Sequence, residues 1–113
     1  MERKGLFQPI QIGNVEVKNR LALLPLCLNY NLKGGLVSTQ PKAFFACRAR
    51  DGLGLIVAGT LTVSNEVFKR RVGSGFQMMD HSAKPGLYEL AEMAHMYGTK
   101  IFMQFSYGMG HQI

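Results

Sequence analysis

Gly54-Leu55-Ile56-Val57-Ala58-Gly59 is apolar at every position and shows no alternation. A strand with one wet face alternates polar and apolar residues, whereas an unbroken apolar run marks a strand covered on both faces, and such strands belong to parallel sheets. Upstream, Leu21-Ala22-Leu23-Leu24-Pro25-Leu26 reads the same way. Pro25 cannot donate to a ladder, so it marks that strand's C-terminal end or a bulge. Downstream, Lys100-Ile101-Phe102-Met103-Gln104-Phe105 is a third strand. Between the first two, Ser38 or Thr39 caps a helix with Pro41 in its first turn, which runs to Arg50 and stops at Gly52. Between the second and third, a long polar loop is expected from Ser64 to Ser82, and Pro85 then opens a helix. Its Leu87, Leu90, Ala91 and Ala94 recur at spacings of three and four, and Gly98 ends it. Ahead of all this, Ile10, Ile12, Val15 and Val17 alternate with polar residues around Gly13-Asn14, the pattern of a small hairpin over residues 8 to 18.

The order is therefore an N-terminal hairpin followed by β-α-β-α-β, an α/β fold with parallel strands. Three strands and two helices form an open sheet, whereas a closed (β/α)8 TIM barrel needs eight strands and typically about 250 residues. The 113 residues read as the opening portion of something larger, a partial barrel incomplete on its own, with unpaired outer strand edges.

Composition narrows the function. With 47% apolar and 18% charged residues the chain is globular rather than disordered. No apolar run approaches the roughly 20 residues of a membrane span, and Gln8, Pro9, Gln11 and Asn14 break up the start, so a cytoplasmic address without membrane contact is expected. Cys27 and Cys47 are too few for a disulfide framework. The net charge of +6 favours anionic ligands. Nucleic acid is not expected, because the densest basic spot, Lys69-Arg70-Arg71, has no aromatic residues interleaved. Met93, Met96 and Met103 read as gap-filling core. His81, His95 and His111 lack metal-ligand spacing, so no metal site is expected, and neither cysteine has a local histidine partner. Gly73-Ser74-Gly75 and Gly108-Met109-Gly110 do not fit a dinucleotide fingerprint.

In parallel α/β folds ligands bind at the carboxyl ends of strands, where loops and helix N-termini gather. The three ends here are Leu24-Pro25-Leu26-Cys27, Ala58-Gly59-Thr60 and Gln104-Phe105-Ser106. Gly59 lets a flat ring approach the backbone, the Gln104 amide both donates and accepts toward a heterocycle edge, and Cys27 offers a polarisable thiol. The plain alternative for each is packing at a strand end.

With those ends in place, the chain resembles the N-terminal part of the Old Yellow Enzyme family, flavin-dependent reductases that include the 2,4-dienoyl-CoA reductases. Leu6-Phe7-Gln8-Pro9-Ile10 through Lys18-Asn19-Arg20 is similar to the family opening, and Pro25-Leu26-Cys27 to its first strand end. Ala49-Arg50-Asp51-Gly52-Leu53-Gly54-Leu55-Ile56 resembles the junction of helix one and strand two. Pro85-Gly86-Leu87 through Leu90-Ala91-Glu92, with His95 and Gly98, resembles helix two, and Lys100 to Phe105 strand three. The resemblance implies that residues 1–113 are the N-terminal portion of an FMN-binding TIM-barrel domain. In that family NAD(P)H reduces FMN, which passes hydride to an activated alkene. By position, Pro25 and Leu26 would lie along the isoalloxazine, Gly59 would give it room, Gln104 would hydrogen-bond its pyrimidine edge, and Cys27 would sit near its O4/N5 edge. Ala58, where many relatives carry Glu, and the ending Tyr107 to His111 depart from the pattern. No catalytic residue is assigned in this stretch.

Two functions follow. One is an FMN-dependent, ene-reductase-type oxidoreductase completed by the remaining barrel strands or a complementary chain, the 113 residues alone being an inactive fragment. The other is a non-catalytic remnant or interaction module that pairs through its sheet edge, as a homo-oligomer or with another protein.

Overall fold

The computed structural model describes residues 4–26, 28, 36–64, 66, 76–77 and 81–107. A single helical turn, α1 (Lys4–Phe7), leads into the antiparallel pair β1 (Ile10–Ile12) and β2 (Val15–Val17), in which Ile10 faces Val17 and Ile12 faces Val15. Then follow β3 (Ala22–Leu23), α2 (Thr39–Arg50), β4 (Leu55–Thr62), β5 (Phe76–Gln77), a 3-10 turn (His81–Ala83), α3 (Lys84–Met96) and β6 (Lys100–Ser106). β4 is the central strand. β6 runs parallel along one edge of it, while β3 and then β5 pair parallel with the other edge, at its beginning and its end respectively.

Helix α2 starts at Ser38, whose backbone is extended, and buries Pro41, Phe45 and Ala49, one residue per turn on one stripe. Helix α3 buries Leu90 and Ala94. Gly52 and Gly98, at φ of 111° and 70°, follow the two helices in the left-handed conformation that stops a helix and that a side chain disfavours. Ile56, Ala58 and Leu61 of β4 pack with Phe76 against Phe45, Ala49 and Leu90, so both helices cover the same face of the sheet. That layering belongs to the wall of a (β/α) barrel, not to a doubly wound sheet with helices on both faces.

The other face carries Leu55, Val57 and Gly59 of β4 beside Ala22 of β3 and Gln104 of β6, since successive strand residues alternate in direction. The hairpin covers only its lower end. There a cavity of about 140 Å3 is lined by Ile10, Ile12 and Val17 of the hairpin and by Ala22 and Leu55 of the sheet. Polar ties fix this end. Asn19 Nδ2 donates to Gly52 O at 2.7 Å and its Oδ1 accepts from Leu21 N at 3.0 Å. Thr99 Oγ1 donates to Leu53 O at 2.8 Å, and Lys18 Nζ donates to Tyr97 O at the end of α3 at 2.7 Å.

Four expectations change. The first strand shrinks to Ala22–Leu23, because Pro25 has no N–H to give and Leu24 points outward, 67% exposed. The second strand runs three residues past Gly59, to Thr62. The stretch expected as a polar loop contributes β5, whose Phe76 and Gln77 are buried beside Leu61 and Thr62. Met96 is exposed, unlike Met93 and Met103, which pack against the core. It lies two residues past buried Ala94, roughly 200° around the helix from the core stripe. Cys27, Lys69-Arg70-Arg71, Gly73-Ser74-Gly75 and residues 108–113 with His111 lie outside the described residues.

Candidate functional site

The ties at the amino ends of the strands leave the carboxyl ends to be shaped by β4 and β6. Ala58 pairs with Met103 and Leu61 with Phe105, so β4 uses two residues, Gly59 and Thr60, where β6 uses one, Gln104. Such a bulge bends a strand and re-aims its side chains. The Gly59–Thr60 peptide bond is cis.

The bulge brings three strand ends together. A Cβ atom added at Gly59 would lie 2.7 Å from Gln104 Oε1, 3.0 Å from Pro25 Cβ and 3.2 Å from Gln104 Cβ. Pro25, Gly59 and Gln104, separated by up to 79 residues in sequence, meet at one point. Gly59 is buried, Pro25 is half-buried and Gln104 is exposed. Among the described residues no group hydrogen-bonds the Gln104 amide. Leu26, next to Pro25, is 47% exposed and stands at the same end with exposed Leu24, Phe105 and Tyr107. Cys27, the remaining residue of this set, lies outside the described residues.

This corner suits a flat heteroaromatic ligand. It offers apolar surface from Pro25 and Leu26, an amide free to donate and accept, and a backbone with no side chain in the way at Gly59. These are the elements an FMN ring system needs from one side, so the residues present fit that group. Among the described residues no three His, Cys, Asp or Glu side chains cluster as metal ligands would. No helix among them is long and apolar enough to cross a membrane. His81 and His95 are exposed.

One polar layer escaped the sequence reading. Thr62 pairs with Gln77 on one side and Ser106 on the other, a row across three strands just beyond the bulge. Thr62 is fully buried and, among the described residues, its hydroxyl finds no hydrogen-bond partner. Nothing local signals this row, since it depends on β5 crossing to β4 from a stretch with loop composition.

Comparison with known proteins agrees with the geometry. The model of the NADH:flavin oxidoreductase / NADH oxidase family matches residues 5–112. An NADH oxidase of Thermoanaerobacter brockii is 36% identical over 100 residues, covering 88% of this chain and 15% of that protein. A cinnamate reductase of Clostridium sporogenes is 34% identical over 118 residues, covering 95% and 16%. Among solved structures, the Old Yellow Enzyme of Pichia sp. AKU4542 superimposes with a TM-score of 0.81 at 22% identity, over 91% of this chain and 26% of that one. A 2-naphthoyl-CoA reductase complex superimposes with a TM-score of 0.82 at 28% identity, over 90% and 15%. The chain thus has the α/β fold of part of an Old Yellow Enzyme TIM barrel. It spans about a sixth of the length of the curated relatives it matches best among these.

Proposed function

Because the chain belongs to the NADH:flavin oxidoreductase / NADH oxidase family, we propose that residues 1–113 supply the first strands of the FMN site in an ene-reductase-type oxidoreductase. The remaining barrel strands, in the same chain or a complementary one, complete it. Bound FMN would supply the redox chemistry, hydride transfer from NAD(P)H to an activated alkene. This chain's part is to bind and orient. Pro25 and Leu26 give the ring apolar contact, Gly59 leaves the strand end free of a side chain, and the Gln104 amide satisfies donors and acceptors on the ring edge. Cys27 enters by the family resemblance alone, which would put its thiol near the O4/N5 edge of the ring. The observation that carries this reading is the convergence of Pro25, Gly59 and Gln104 on one point at the carboxyl ends of parallel strands, where barrel enzymes hold their ligands. In relatives named here the reducible compounds are a cinnamate and a 2-naphthoyl thioester, both conjugated carbonyl compounds, and this supports an electron-poor alkene as substrate.

The test is a Gln104→Leu substitution in the intact flavoprotein, read by flavin titration. Losing a buried amide contact to the ring costs about 1–3 kcal/mol, roughly a five- to 150-fold weaker affinity. Unchanged affinity, or an intact protein that purifies colourless and takes up no FMN, contradicts the reading. One observation favours the second possibility, an interaction module pairing as a homo-oligomer or with another protein: among the described residues β6 pairs only with β4, leaving its outer edge open. A flavin-free protein that forms a stable dimer sensitive to proline substitution in β6 would support that module instead.

A further inference from the structure

We infer that Gly59 is a positioning residue for Gln104: the space left by its absent side chain is a slot that holds the Gln104 amide, closed on its far side by Pro25. This rests on the flavin reading above. Side chains directly across from one another on paired strands keep their Cβ atoms about 4.5–5.5 Å apart. At the bulge, a Cβ on Gly59 would be 3.2 Å from that of Gln104, and the amide oxygen would be nearer still, at 2.7 Å. The amide therefore lies so close to Gly59 that a side chain there would push it aside. Pro25 Cβ, 3.0 Å from the same point, belongs to a rigid ring that cannot swing aside. The extra residue in β4 between Ala58 and Leu61 produces this pinch.

The consequence is pre-organisation. A glutamine has three rotatable bonds and considerable rotamer freedom in water. Among the described residues this one has no hydrogen bond to hold it, so shape does that work. With the slot present, the amide adopts one arrangement before any ligand arrives, and binding loses less entropy. A methyl group at residue 59 displaces the amide, and the amide must then be ordered by the ligand itself.

The experiment is a double-mutant cycle in the intact flavoprotein, with FMN dissociation constants measured by fluorescence titration and the visible band of bound FMN recorded for each variant. Gly59→Ala is expected to weaken FMN binding by about three- to tenfold, the scale of ordering one rotamer-rich side chain, and to shift the band in the direction that Gln104→Leu shifts it. In the Gln104→Leu background, Gly59→Ala should add less than about a twofold effect, because no amide remains to displace. Equal weakening by Gly59→Ala in both backgrounds overturns the inference and means that the space serves the ring directly. Unchanged affinity in Gln104→Leu itself would instead overturn the flavin reading, so the two failures are distinct. Should Gly59→Ala not fold, NMR relaxation of the Gln104 side-chain amide in the intact protein freed of flavin carries the test: a rigid amide is expected, and one as mobile as a surface glutamine overturns the inference.

Discussion

A methyl group on Gly54 would meet Asn19 Oδ1 at 2.5 Å, Asn19 O at 2.7 Å and Val17 Cγ1 at 2.9 Å. The backbone oxygen cannot swing away, so Gly54→Ala is expected to destabilise the intact protein by about 2–3 kcal/mol, read as a lower midpoint in urea unfolding. Asn19 shows why the approach is so close: its amide bonds Gly52 O and Leu21 N at once while 8% exposed. Asn19→Ala should cost a similar amount, since two backbone groups lose their partners. Thr62 is the opposite case. Its hydroxyl is buried and has no partner among the described residues, so Thr62→Val removes a desolvated group and should leave stability unchanged or raise it by up to about 1 kcal/mol; a loss above that would reveal a partner for the hydroxyl. That Pro25, Gly59 and Gln104 stand at the carboxyl ends of the strands was legible in the sequence. The steric pinch between them was not, because it comes from a bulge whose register only the paired strands define.

Among the elements, α2 and α3 lie where Pro41, Pro85 and the glycine stops signal, and Leu90 and Ala94 face the sheet as their spacing predicts, while Ser38 begins α2 without a side-chain cap hydrogen bond. Helical spacing and glycine stops are local, and such local signals survive into the fold. Leu90 is fully buried in the core cluster, so Leu90→Ala should cost about 2–5 kcal/mol in thermal or urea unfolding. The ion pair of Lys42 with Glu89 links the two helices on the surface, with Glu89 60% exposed; exposed pairs of this kind are worth at most about 1 kcal/mol. Arg48 is better held, its guanidinium 3.4 Å over the Phe44 ring and donating to Phe44 O at 2.9 Å. β3 was legible as an apolar run but shortens to two residues, whereas β5, also two residues, carries too little pattern to be read locally. Each exists because β4 offers it an edge.

At the scale of the whole molecule, the accessible surface is 7488 Å2 for 12.6 kDa, against about 6,200 Å2 for a compact monomer of that mass. The Cα radius of gyration is 15.2 Å, where a closed domain of this length would have about 13 Å. Among the described residues, the face of the sheet away from the helices leaves Leu24 67% exposed, and β6 pairs on one side only. Produced alone, residues 1–113 are expected to self-associate in size-exclusion chromatography and to retain no flavin, since bare apolar surface and an unpaired edge both favour association. A monodisperse monomer would count against this picture of an open barrel wall. The sequence by itself determined the order hairpin, β, α, β, α, β, the parallel sense of the strands and the residue types at their carboxyl ends, because hydrophobic period, helix stops and crossover length are carried by neighbouring residues. Only the tertiary structure decided that both helices lie on one face, that β5 joins β4, and that Pro25, Gly59 and Gln104 touch, because strand register and the bulge in β4 arise from pairing between segments dozens of residues apart.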